Sequence, residues 1–213
     1  MLMVASVERY FQIARCFRDE DQRGDRQPEF TQMDLEMSFV ERDDIMKLAE
    51  GMFTELVAKV VPEKKVFQTP WPRIKYQEAM ERFGKDNPDI RFGLELVNVG
   101  DLVAECGFGV FESTIKDGGE VRGINAKGLG DYSRKQIDAL TEYVKSNGGA
   151  KGLAYIALTS AGEMRSSFAK FLTEEVKDAI LERMNAENGD LLLFVADQAA
   201  TTFESLGRLR VHL

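Results

Sequence analysis

The sequence predicts an α+β protein built on antiparallel sheets, and three observations predict it. Two runs with a period of two flank a short charged segment, the pattern of a hairpin with unlike faces. A stretch with apolar residues at spacings of three and four follows directly, which is the period of a helix. Beyond about Gly100, strand-like runs alternate with amphipathic helical runs and glycine turns, so a second module begins there.

Taken in order, the run from Glu29 to Phe39 holds Thr31, Met33, Leu35, Met37 and Phe39 on one parity and Phe30, Gln32, Asp34, Glu36 and Ser38 on the other. The earlier run places Phe11, Ile13 and Phe17 on one side and Gln12, Cys16 and Arg18 on the other. One face is expected to meet a core, and the other to be polar. Between the runs, Asp19 to Pro28 is a charged connection in which Gly24 and Pro28 favour a turn. Ile45, Leu48, Ala49, Met52, Phe53, Leu56 and Val60 then form a helical stripe, with Asp43 or Asp44 as N-cap. That stripe is expected to cover the apolar face of the hairpin.

Pro62 stops this helix, and Val66 to Pro72 is expected to be extended because Pro70 and Pro72 forbid a regular ladder or helix. A short helix from Tyr76 to Phe83 ends at Gly84, and Asp86 to Asp89 reads as a loop. Gly109-Val110-Phe111 and Val121 to Ala126 read as strands. Tyr132 to Val144 is a helix capped by Ser133, burying Ile137, Leu140 and Val144. Leu153 to Leu158 is a strand. Thr173 caps a further helix whose first turn carries Glu174 and Glu175, where the helix dipole favours acid. Leu191 to Val195 is a strand, and Ala199 to Leu209 a final helix.

Composition narrows the function. A hydrophobic content of 44% is that of a globular chain, and a net charge of -8 argues against a generally basic nucleic-acid surface. Cys16 and Cys106 lie far apart without metal-ligand spacing, which suits free thiols in a reducing, cytoplasmic setting. Met1 to Val7 is apolar but short and lacks a basic leader, so it reads as cut rather than targeted, and no run approaches a membrane span. The single histidine, His212, is penultimate, which argues against histidine-dependent triads and zinc-histidine sites. No glycine cluster forms a phosphate-binding loop of either common type.

The concentrated chemistry lies at the charged turn. Arg18 stands just before it, and Phe30, Gln32 and Asp34 just after. An arginine fork can hold a phosphate or carboxylate through two bonds, an aromatic face can stack on a base, and an aspartate can hold an ammonium group. A surface hairpin whose arginines merely pair with Asp19, Glu20 and Asp21 is the alternative.

The order of residues favours the first. Phe17-Arg18-Asp19-Glu20, followed by Arg26-Gln27-Pro28-Glu29-Phe30-Thr31-Gln32-Met33-Asp34-Leu35-Glu36, resembles motif 2 of the class II aminoacyl-tRNA synthetases, in the extended form found in bacterial-type aspartyl-tRNA synthetases. The resemblance implies that Arg18 is catalytic, bridging the ATP α-phosphate and the substrate carboxylate. Asp19 and Glu20 would line the ATP and acceptor-end side, Gln27 would contact ATP, and Phe30 would stack on adenine. Asp34, with Gln32 beside it, would receive the amino group of aspartate. Pro70 to Ile74 and Tyr76 to Met80 also resemble the catalytic domain of that family.

Ser133 to Asp138, Gly149 to Tyr155 and Gly189 to Phe194 resemble the GAD domain, which is inserted in bacterial-type aspartyl-tRNA synthetases and shared with subunits of tRNA-dependent amidotransferases. Its fold in the family is a two-layer α+β arrangement, an antiparallel sheet with helices on one face. The expected division is therefore a partial class II catalytic domain over 1–98 and the inserted domain with a return helix over 99–213. What the resemblance implies is part of an aspartate-tRNA ligase. The motif 1 dimer interface, the anticodon barrel, motif 3 and the magnesium ligands would lie outside it, and the chain alone would be inactive. ATP, L-aspartate and tRNA would be its partners, with no metal site of its own. A non-catalytic RNA- or protein-interaction module is the competing reading.

Overall fold

The computed structural model describes all 213 residues except Arg23 and Asp25, so those two positions of the charged turn lie outside the described residues. The chain forms two compact units, Met1–Arg73 and Ile74–Leu213.

In the first unit β1 (Arg9–Phe17) and β2 (Glu29–Met37) pair antiparallel, with Gln12 opposite Asp34 and Cys16 opposite Phe30. Directly opposed residues share a face, so the register puts both polar parities on one side and both apolar parities on the other. Helix α1 (Arg42–Val60) follows; its N-cap is Glu41 rather than Asp43 or Asp44, and the Glu41 N–H donates to the Asp44 carboxylate at 3.0 Å. Asp44 therefore serves the cap from inside the first turn.

The expected cover of the hairpin is not found. Phe11, Ile13 and Phe17 are 65 to 72% exposed. Helix α1 instead holds the segment after it: Glu50 accepts from the Trp71 N–H and the Arg73 guanidinium, both at 2.8 Å, and Phe53 stacks near Trp71 with centroids 6.3 Å apart. Amphipathic spacing specifies that a face is apolar, but not which surface will meet it.

The second unit comprises α2 (Tyr76–Phe83), β3 (Val97–Asn98), α3 (Gly100–Val103), α4 (Gly109–Lys116), β4 (Glu120–Ala126), α5 (Arg134–Gly148), β5 (Ala154–Leu158), β6 (Met164–Ser166), α6 (Glu174–Arg183), β7 (Leu191–Asp197) and α7 (Ala199–His212). Its sheet has the order β3-β4-β7-β5-β6, antiparallel at every pairing. The α+β class with antiparallel sheets is thus the one expected, but the helices lie on both faces of this sheet rather than one. Leu191, Leu193 and Val195 of β7 pack with Ile137 and Leu140 of α5 and Leu206 of α7. Leu192 and Phe194 pack on the other side with Val103, Phe111 and Ile180 of α3, α4 and α6. A central strand that is apolar at consecutive positions is the signature of burial on both faces.

Two local readings change accordingly. Gly109-Val110-Phe111 opens helix α4, not a strand, because Phe108, Phe111 and Ile115 recur at helical spacing and bury one side. In β4, Gly123 makes room for a neighbour: a Cβ there would lie 2.6 Å from the Phe194 ring.

Helix α2 lies against α7, and the two backbones touch through glycines. A Cβ on Gly84 would come within 2.2 Å of the Phe203 carbonyl oxygen, and one on Gly207 within 2.6 Å of the Gly84 carbonyl oxygen. Close by, Arg210 is 2% exposed; its guanidinium donates to the Gly93 and Asp89 carbonyls at 2.9 and 2.5 Å and lies 4.9 and 4.3 Å from the ring centroids of Phe83 and Phe92. Residues 74–98, assigned to the first module from sequence, pack with the second unit through these contacts.

Asp190 gives this unit an acid-sensitive point. Burial pushes its carboxyl up, but hydrogen bonds from Lys127, the Glu187 N–H, Asn125 and the Gly128 N–H outweigh it and hold the carboxyl below the ordinary range. A depressed carboxylate contributes stability that is present above its unfolded value and is lost as pH falls through the folded one. Asp190→Asn is therefore expected to cost about 1–3 kcal/mol at pH 7. In urea melts the gap to the wild type should close as the pH is lowered below the carboxylate range.

Candidate functional site

The loop end of the hairpin is organised by alternation. The Arg18 N–H donates to the Pro28 carbonyl at 2.9 Å, carrying the β1–β2 ladder one step past Phe17 and Glu29. Arg18 therefore projects on the same face as Cys16 and Phe30. Its guanidinium carbon lies 5.2 Å from the centroid of the Phe30 ring, a cation-π distance.

Across the loop, Glu20 lies between two arginines. It is 3.6 Å from Arg18 and accepts from Arg26 at 3.2 Å. Arg18, Glu20, Arg26, Gln27, Glu29 and Phe30 together line a cavity of about 340 Å³. That size lies in the range of small-ligand sites. The arginine side chains are 62 and 71% exposed, so their attraction to Glu20 is screened by water.

The expected site residues are thus divided. Arg18, Glu20, Gln27 and Phe30 come together in one cavity, while Asp19 is exposed and lies outside its lining. Gln32 and Asp34 share the face of Phe30 further along β2, half-buried, opposite Ala14 and Gln12. The Gln12 amide donates to the Asp34 carboxylate at 3.4 Å, a long bond that fixes one oxygen. Two lining groups had no role from sequence. Arg26 lies inside a loop where spacing carries no face information, and Glu29 sits at the strand start, where its side chain also reaches Arg15 at 3.2 Å. Among the described residues, no three His, Cys, Asp or Glu side chains converge as a metal site would require.

A cation fork over an aromatic face, beside a second arginine and an amide, can bind a phosphate and a flat ring together. The polar stripe running on to Asp34 adds an anionic position on the same face.

Comparison with known proteins shows the family. Residues 1–204 match the family model for tRNA synthetases class II (D, K and N). The whole chain is 58% identical to the aspartate--tRNA(Asp/Asn) ligase of Symbiobacterium thermophilum over 217 residues, which is 35% of that protein. It is 54% identical to the aspartate--tRNA ligase of Ruminiclostridium cellulolyticum, again over 100% of this chain and 35% of the relative. The aspartate--tRNA(Asp/Asn) ligase of Rubrobacter xylanophilus is 53% identical with the same coverage. The chain therefore spans about 35% of the length of the curated relatives it matches.

Proposed function

We propose, for a chain that belongs to the class II tRNA synthetases (D, K and N), that the loop end of its hairpin is the nucleotide side of an aspartate-activating site. The activity is that of aspartate-tRNA ligase. The observation that supports it is the convergence of Arg18, Glu20, Gln27 and Phe30 on one cavity, with the guanidinium over the ring.

In this reading the carboxylate of aspartate attacks the α-phosphorus of ATP, pyrophosphate leaves, and the aspartyl-adenylate then passes its acyl group to a terminal ribose hydroxyl of tRNA. Arg18 bridges the α-phosphate and the reacting carboxylate, neutralising charge as it builds. Phe30 offers a ring face to adenine, and Gln27 contacts the nucleotide. Asp19 and Glu20 border its acceptor-end side. Asp34 receives the amino group of aspartate, with Gln32 beside it. Catalysis in such a site is mostly positioning and charge stabilisation. Magnesium, where the reaction uses it, would be held by residues other than these, and none of the steps assigned here runs through it.

The residue ranges 1–98 and 99–213 are proposed as the catalytic-type part and the inserted GAD-type domain. By itself the chain is proposed to be inactive in aminoacylation, and a homodimer through surfaces outside it and a cytoplasmic setting complete the reading. The competing reading, a non-catalytic interaction module, draws support from the second unit: among the described residues every buried hydrophobic side chain lies from Ala79 onward.

Nucleotide binding separates the two. Fluorescent ATP-analogue titration of the chain is expected to show saturable binding that Phe30→Ala weakens by about 1–3 kcal/mol, the stacking contribution of one base. Binding unchanged by Phe30→Ala, or no binding at all, would leave the module reading in possession.

A further inference from the structure

The second unit contains a break in its central sheet that no part of the aspartate reading uses. β5 and β7 form a ladder whose register pairs Ala154 with Phe194 and Ile156 with Leu192. The Leu158 N–H donates to the Asp190 carbonyl at 2.9 Å, which fixes the parity: even-numbered residues of both strands turn their main-chain groups toward each other. On the opposite edge of β5 the Ser167 N–H reaches the Tyr155 carbonyl, as the same alternation requires.

The next pair in this series would be Gly152 with Ala196. It is not made. The backbone leaves the sheet before Ala154, while β7 continues through Asp197 with β4 still alongside. Between the separated segments lies a cavity of about 500 Å³, floored by Phe108, Phe111 and Phe194 and edged by Lys151 and Asp117. The side chains of Lys151 and Asp117 make no ion pair or hydrogen bond among the described residues.

We propose that this notch binds an extended peptide segment that completes the ladder against Ala196. Ala196 offers one N–H and one C=O at strand spacing, and an extended main chain supplies the matching acceptor and donor together, which is strand addition. The face works out as well. A residue hydrogen-bonded opposite Ala196 puts its side chain on the same face as Ala196, the face that holds Leu192 and Phe194, so it falls on the phenylalanine floor. The preferred peptide therefore has an apolar residue at that position. Lys151 and Asp117 complement a carboxylate and an ammonium on either side of it, as in a short peptide with free ends.

The test is a titration of the 15N-labelled full chain, followed by two-dimensional NMR, with three probes. They are the free tripeptide Ala-Phe-Ala, the same peptide N-methylated at phenylalanine, and phenylalanine alone. Ala-Phe-Ala is expected to shift the amides of Ala196 and Gly152 saturably. The N-methyl peptide, which cannot donate to Ala196, should bind about tenfold more weakly, the worth of one hydrogen bond. Ala196→Pro, which removes an N–H that serves no ladder bond, should abolish the shift at Gly152 while the signals of Ile124 and Tyr155 stay in place. Equal binding of the two peptides would overturn the proposal in favour of a simple apolar pocket, as would phenylalanine alone binding as well as the tripeptide. Absence of any saturable shift would overturn it outright. Should Ala196→Pro fail to fold, the N-methyl comparison decides.

Discussion

Arg18→Ala is expected to lower aspartate-dependent exchange between pyrophosphate and ATP by roughly 10²- to 10³-fold, the usual loss when one preorganised group facing a developing charge is removed. The measurement belongs in a polypeptide carrying this chain together with the remaining length of its relatives, of which the chain spans 35%. Arg18→Lys should recover only a small part, because an ammonium keeps the charge but not the planar fork. In the chain itself Arg18→Ala should weaken ATP binding without changing the melting temperature, since the side chain is 62% exposed. An exchange rate within a few-fold of wild type would remove Arg18 from the mechanism.

Phe194→Ala is expected to destabilise the second unit by about 3–5 kcal/mol in urea unfolding, the range for deleting a fully buried aromatic side chain. Phe194 is 1% exposed, and its ring meets that of Phe168 at 5.4 Å and that of Phe111 at 6.5 Å. The contrasting change is Phe11→Ala, at a phenylalanine 72% exposed, for which about 0.5 kcal/mol or less is expected. Equal effects at the two positions would mean that the hairpin's apolar face is covered in solution. Amide exchange should follow the same division, with slow amides on β4 and β7 and fast ones on β1 and β2.

The sequence was most informative where one residue's chemistry decides a local geometry. Ser133 and Thr173 cap their helices as expected, accepting from the N–H groups of Gln136 and Val176, and Gly84 takes the left-handed conformation that ends α2. The two faces of the hairpin were also legible, because alternation alone assigns them. Legibility stopped at contacts between elements. Nothing in the α1 stripe says whether it meets the hairpin or the Trp71 segment. The helices on the far side of the main sheet were foreshadowed only by the unbroken apolar run Leu191 to Val195.

The same limit applies at the candidate site. Arg18, Phe30 and Asp34 could be placed on one face from parity, and the register bears this out. That Glu20 would stand between Arg18 and Arg26 depends on how the turn closes, which no periodicity encodes. In the proposed reading an incoming phosphate competes with the Glu20 carboxylate for these two arginines, so binding would require that carboxylate to yield one or both.

The crossing of α2 and α7 at Gly84 and Gly207 has a further consequence. The two helices rest backbone on backbone there, with no side chain between them, so their spacing is set by main-chain atoms alone. Any bulkier residue at either glycine would act as a wedge, prising α2 from α7 and uncovering the apolar surface that their contact keeps dry.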